Sequence, residues 1–318
     1  MSEPGETPTP RASKRARQRA EFDATVADIE AQVRATNAII EERTGRNLVA
    51  AIAIGIVFGA AFIASLIFQT WIFMIFAGVL MVFLALELTA AFRASGRNVP
   101  RIPSAIAAAG VIAATFYWNS EGQWLILLAG MGFITVWRLV EATIPSRLKS
   151  AKELSLDLLA GLFIQAYAIF LGSFTVLLTT YPHGNLWVLS LLIVTVSTDT
   201  GAYATGLLLG KHKMAPRISP KKTWEGFGGS IVAAQIASFL VGWLLLHITV
   251  FDGVLFGLAI ALTATLGDLV ESLIKRDLGI KDISNWLPGH GGFLDRLDSV
   301  LPSAAVAYAL FLIFNGAR

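Results

Sequence analysis

The chain has 318 residues, 55% of them hydrophobic and only 15% charged, with a formal net charge of +3 and a mean hydropathy of +0.66. A soluble domain carries about 25% charge, and apolar runs of membrane-crossing length recur here from Asn47 onward, which excludes a set of soluble domains. The absence of cysteine excludes disulfides, thiolate zinc sites, iron–sulfur clusters and cysteine nucleophiles. The small net charge makes its distribution the informative quantity, and no nucleic-acid partner is expected.

Residues 1–46 differ in composition from everything after them. The opening MSEPGETPTPRASKRARQRA is rich in Pro, Ser, Thr and basic residues and reads as disordered. Arg11, Lys14, Arg15, Arg17 and Arg19 suit either anionic lipid headgroups or a solvated tail that sets topology. From Glu21 to Arg43, Phe22, Val26, Ile29, Val33 and Ile40 fall near helical spacing and predict a modest amphipathic helix. No apolar run follows the start closely enough for a cleaved signal peptide. The expected organisation is a basic cytoplasmic extension over 1–46 and a membrane catalytic domain over 47–318.

The membrane part predicts an all-α polytopic bundle of about nine transmembrane helices, at 48–67, 71–92, 103–118, 124–142, 155–178, 185–209, 228–248, 251–272 and 299–315. The connections alternate in charge. Basic ones carry Arg93, Arg97 and Arg101; then Arg147, Lys149 and Lys152; then Lys211, Lys213, Arg217, Lys221 and Lys222; then Lys275, Arg276 and Lys281. Between them NSEGQ, YPHGN and HITVFDG carry no Lys or Arg. The positive-inside rule puts the N-terminus and every basic loop in the cytoplasm and the C-terminus across the membrane. A bacterial-type inner or plasma membrane is expected. No internal repeat of the transporter kind is evident.

Charge inside a span costs roughly 2.5–3.5 kcal/mol on insertion scales and marks function. Four stretches of the C-terminal half carry it. In VSTDTGAYATGLLLGK, Asp199 lies in an apolar span among small residues that allow close helix approach. In PRISPKKTWEG, Arg217, Ser219, Lys221, Lys222 and Thr223 crowd donors and cations suited to phosphate oxygens, with Glu225 following. In LGDLVESLIKRD, Asp268, Glu271, Ser272 and Lys275 share one helical face, and carboxylates there suit a hard cation such as Mg²⁺. In PGHGGFLDRLDS, Gly291 and Gly292 supply the backbone freedom of an anion nest, while Asp295, Asp298 and Ser299 share a face. His290 alone carries no spacing signal. Separated carboxylates, a cationic loop and a glycine nest together describe phosphoryl or nucleotidyl transfer. GxxxxGK[ST] is absent, so a P-loop enzyme is not expected.

The stretch SLIKRDLGIKDISNWLPGHGGFLDRLD, 272–298, resembles the signature of the CDP-diacylglycerol synthase family, the phosphatidate cytidylyltransferases, and ISPKKTWEG and DTGAYATGLLLGK resemble further family motifs. The resemblance spans roughly 50–315. It implies a polytopic enzyme that joins CTP to phosphatidic acid among membrane lipids, giving CDP-diacylglycerol and pyrophosphate. It implies Mg²⁺, with K⁺ as a second cation, and metal ligands at Asp268 and Asp295. Lys275 and Arg276 match the family's cations, and Ser219, Lys221, Lys222, Thr223 and Glu225 fall on its polar loop. Chemistry agrees: the phosphate of phosphatidic acid is already an anionic nucleophile, and cations at Lys275, Arg276 and Lys221–Lys222 would reduce repulsion between two anionic substrates. The N–H groups around Gly291 and Gly292 are expected to hold the triphosphate, with His290 and Arg296 among the substrate contacts and Asp298 in an accessory catalytic role. Homodimerisation is implied by analogy alone. The rival readings are a CTP-dependent polyprenol- or phytol-type lipid kinase and, from another class, an anion transporter.

Overall fold

The computed structural model describes residues 48–144, 150–284, 286 and 291–316. The expected N-terminal tail and amphipathic helix lie outside the described residues. The chain divides into two compact units, Met1–Ile56 and Val57–Arg318. Of the first, only the opening turns of α1 (Leu48–Phe68) are described; every site residue discussed below belongs to the second.

Among the described residues, ten helices and one small hairpin follow in order. After α1 come α2 (Thr70–Ala94), α3 (Arg101–Ala142), α4 (Ala151–Ile164), a π-helical turn (Gln165–Phe170) and α5 (Leu171–Thr179). Then come α6 (Gly184–Leu209), β1 (Lys213–Ala215), β2 (Ser219–Thr223) and α7 (Trp224–Val241), with a second π turn at Gly242–Leu246. The chain ends with α8 (Val250–Asp277), a single turn α9 (Leu294–Leu297) and α10 (Val300–Gly316).

Seven helices among the described residues are long and apolar enough to cross a membrane, so this is an integral membrane protein. The sequence suggested nine segments, and the difference has two sources. Gly55–Phe68 counts only as a shorter apolar helix. The expected third and fourth segments are counted together as α3, which is broken between them at Trp118 and Asn119, where Asn119 takes φ 53° and ψ −143°. That break reverses the chain. A Cβ on Gly130 would lie 2.9 Å from the Ala107 Cβ, and one on Gly110 3.3 Å from Ile126 Cγ2. In a straight helix positions 107 and 130 would be about 34 Å apart, so the two halves of α3 are an antiparallel pair.

Small residues set the closest approaches. A Cβ on Gly201 would meet the Ala233 Cβ at 2.5 Å and the Gly229 carbonyl at 2.8 Å, and one on Gly229 would overlap Thr205, so α6 and α7 nearly touch backbone to backbone. At Gly267 a Cβ would collide with the Asp298 carbonyl and with Pro302, which presses α8 against the start of α10. At Gly172 one would meet Met81 and Leu301 Cδ2, the latter at 3.1 Å, so α5 begins against α2 and α10.

A buried ion pair fixes a different corner. Arg138 Nη2 lies 2.8 Å from Asp157 Oδ2, with both side chains fully buried, and the Asn98 N–H donates to Asp157 Oδ1 at 2.8 Å. The pair ties α3, α4 and the α2–α3 connection together.

Candidate active site

The site begins on α8. Helical periodicity puts Asp268, Glu271 and Lys275 on one face, and the close approach at Gly267 carries Asp298 to the same place. One carboxylate oxygen from each of Asp268, Glu271 and Asp298 lies within 4.8 Å of the others. Two lysines border this triple. Lys222 Nζ sits 2.9 Å from Asp268 Oδ2 and donates to the Thr265 carbonyl at 3.2 Å. Lys275 Nζ bridges Glu271 Oε2 at 2.7 Å and Asp295 Oδ1 at 3.0 Å. Asp199 joins the edge of the cluster by accepting from Ser299 Oγ at 3.4 Å.

The glycine stretch behaves in part as its composition suggests. Gly291 takes φ +84°, a conformation only glycine adopts freely. The N–H groups that follow, however, are already engaged. Gly292 N–H donates to Asp295 Oδ2 at 2.7 Å, and the Phe293 and Leu294 N–H groups donate to Glu87 at 2.9 and 2.8 Å. Ser284 Oγ donates to the same Glu87 carboxylate. The anions held at this nest are therefore the protein's own side chains. Phe83 stacks on Phe293 with ring centroids 5.4 Å apart, and Trp286 meets both rings edge-on.

The cationic loop is the β1–β2 hairpin, antiparallel with Lys213 opposite Thr223. Its residues divide by task. Thr223 is buried and caps α7, accepting from the Gly226 N–H at 3.1 Å. Glu225 accepts from the Lys211 and His212 N–H groups and meets His212 Nδ1 at 2.6 Å, which closes the hairpin onto α7. Ser219 is half-buried, whereas Lys221 and Arg217 are exposed. Only Lys222 of the loop is paired with the carboxylate cluster. Arg276 anchors the far side, its Nε donating to the Ile218 carbonyl at 3.3 Å.

Of the residues singled out from sequence, the structure thus gathers Asp268, Asp298, Lys222, Lys275 and, through Lys275, Asp295. Asp295 stands beside the carboxylate triple, held by Lys275 and Gly292, while Glu271 takes a place within it. Arg296 is exposed, and His290 lies outside the described residues. Glu87 was overlooked. An acid in the apolar stretch VFLALELTAAF carries the same signal as Asp199, and that signal alone would have found it.

The donor set fits a hard divalent cation. Three carboxylates converge, and Glu271 Oε1 is buried without a hydrogen-bond partner among the described residues. A buried charged oxygen left unpaired is costly, and an oxygen-seeking cation would satisfy it.

Comparison with known proteins agrees with this chemistry. The sequence pattern of the cytidylyltransferase family matches residues 49–314. The chain is 39% identical over 283 residues to the phosphatidate cytidylyltransferase of Mycobacterium leprae, covering 85% of this chain and 89% of that one. It is 38% identical over 280 residues to that of Mycobacterium tuberculosis, covering 85% and 84%. A 155-residue part, 49% of this chain, is 39% identical to the phosphatidate cytidylyltransferase of Brucella suis, over 57% of that protein.

Proposed function

The chain belongs to the cytidylyltransferase family, and on that premise we propose that it transfers CMP from CTP to phosphatidic acid, giving CDP-diacylglycerol and pyrophosphate. The observation that carries the reading is the triple of Asp268, Glu271 and Asp298 within 4.8 Å, bordered by Lys222 and Lys275. Both substrates are anionic phosphorus compounds, so the main barrier to their meeting is electrostatic repulsion.

Asp268, Glu271 and Asp298 would hold Mg²⁺, with K⁺ as a second cation beside it. When bound, Mg²⁺ neutralises phosphate oxygens and so favours attack on phosphorus and departure of pyrophosphate. The protein's own groups do the rest. Lys275 is fixed between two carboxylates, so its charge is in place before substrate arrives. Lys222 spans β2 and α8 and presents its charge at the hairpin side of the cluster. The phosphate of phosphatidic acid needs no deprotonating residue, and its oxygen would attack the α-phosphorus of CTP in line. Thr223, Glu225 and Arg276 serve by holding the hairpin against α7 and α8. Gly291, Gly292 and Glu87 hold Asp295 and, through it, Lys275.

The basic connections support a site at the cytoplasmic face, where CTP would be available, with the lipid entering from the bilayer past the apolar flanks. The test is product identity. Purified protein supplied with CTP, phosphatidic acid and Mg²⁺ should release pyrophosphate and form CDP-diacylglycerol. Release of CDP with a phosphorylated alcohol would assign a lipid kinase and overturn the proposal.

A further inference from the structure

We propose that the Tyr167 hydroxyl donates a hydrogen bond to a phosphate oxygen bound at the Asp268–Glu271–Asp298 cluster. The inference rests on the reaction assigned above and adds a residue that neither composition nor motif singled out.

Tyr167 lies in the π turn Gln165–Phe170, in the middle of the span formed by α4 and α5. A π turn inserts one extra residue into a helix at an energetic cost and is frequently retained where function needs it. The Tyr167 ring stacks on Phe163, with centroids 5.1 Å apart and planes 8° from parallel, so its orientation is fixed. Its hydroxyl is buried and has no hydrogen-bond partner among the described residues. Buried phenols ordinarily find one. Asp298, Glu271 and Asp268, the three members of the cluster, are the acidic groups near enough to bear on this hydroxyl.

Glu271 Oε1 is likewise buried and unpartnered, and the two orphaned atoms are not bonded to each other. One is a donor and the other an anionic acceptor. A cation alone would satisfy Glu271 and leave the phenol unpaired. A phosphate oxygen alone would satisfy the phenol and repel Glu271. A phosphate bound together with a cation satisfies both. Packing supports the placement, because Gly172, two residues past the π turn, lies against Leu301, three residues from Asp298. The phosphate belongs either to the nucleotide or to the lipid, and the experiment separates them.

Tyr167→Phe in the full chain keeps the ring and its stack and removes one oxygen. We expect kcat/KM to fall about 100-fold, the lower end of what loss of one donor to a developing charge produces, with the melting temperature unchanged. A matching loss of CTP affinity in titration calorimetry assigns the nucleotide phosphate. Unchanged CTP affinity with a raised KM for phosphatidic acid assigns the lipid phosphate. A variant within twofold of wild type toward both substrates overturns the hydrogen bond, whereas a wild-type protein that releases no pyrophosphate overturns the assigned reaction instead. Should the variant not fold, 3-fluorotyrosine can replace the five tyrosines of the wild-type chain. One ¹⁹F resonance should then move on addition of pyrophosphate with Mg²⁺, and a spectrum in which none moves overturns the proposal.

Discussion

Glu87 and Leu294, separated by 207 positions in the chain, are joined by a 2.8 Å hydrogen bond in which the Leu294 N–H donates to Glu87 Oε2. Glu87 is fully buried in α2, and its other oxygen accepts from the Phe293 N–H and from Ser284 Oγ. One side chain thus terminates the short helix α9 and fixes the loop before it, in the way a carboxylate caps a helix start. The turn so fixed carries Asp295 and leads directly to Asp298.

Glu87→Gln should therefore impair both stability and turnover without touching either substrate. The new amide NH₂ would face donors where an acceptor is required. Hydrogen bonds to a charged group contribute about 1.5–3 kcal/mol each, and leaving a buried donor unpaired adds to the loss. We expect a loss of about 2 kcal/mol in detergent melting experiments and at least a tenfold drop in pyrophosphate release. Wild-type turnover would mean that the loop holds its shape without Glu87.

Glu271→Gln removes one charge from the carboxylate triple and leaves Lys275 on Asp295. Turnover should fall by about 100-fold, and the Mg²⁺ concentration giving half-maximal rate should rise. Chelation of wild type with EDTA should abolish activity, and restored Mg²⁺ should recover it. The readout is pyrophosphate release across a Mg²⁺ titration, and an unchanged half-saturation point would take Glu271 out of the cation site.

Gly267→Val should separate α8 from α10, since even a Cβ there collides with the Asp298 carbonyl and Pro302. Backbone cannot yield as a flexible side chain can, so the helices must move apart. The protein should remain in the membrane fraction with activity reduced by more than about tenfold, measured after normalising for folded protein. Full activity would show that Asp298 is not held to Asp268 by this contact.

Arg138→Met should cost about 3–5 kcal/mol, because it leaves Asp157 charged and buried without its partner. Replacing both, as Arg138→Met with Asp157→Leu, should restore part of that stability. Recovery stays incomplete because the Asn98 N–H loses its acceptor. A double-mutant cycle on melting temperature measures the coupling, and additive losses would show that the pair contributes no net interaction.

The sequence disclosed the helical segments well because their signal is local. A span of apolar residues is recognisable without knowing what surrounds it, and the alternating basic connections follow from the same count. It also placed Asp268, Glu271 and Lys275 together, since all three ride one helix with a period of 3.6 residues. Where it stopped short, the missing information was non-local. The polar stretch NSEGQ marked the break near Asn119, but not that the two halves of α3 fold onto each other through Gly130 and Ala107. The glycine stretch suggested a nest for the triphosphate, but its N–H groups face the protein's own Glu87 and Asp295.

Sequence alone determined that this protein is a polytopic helical membrane enzyme of a recognisable signature, and which acids and cations it has to work with. Tertiary packing decided which of the others join those on α8. Asp298 joins Asp268 and Glu271 because Gly267 lets two backbones approach, while Asp295, only three residues earlier, is turned to Lys275 by the Gly292 N–H. Helical periodicity is a property of neighbours along the chain. The register between helices depends on the volumes and hydrogen bonds of residues from 31 to 207 positions apart, such as Gly267 with Asp298 and Glu87 with Leu294, which no spacing within one segment encodes.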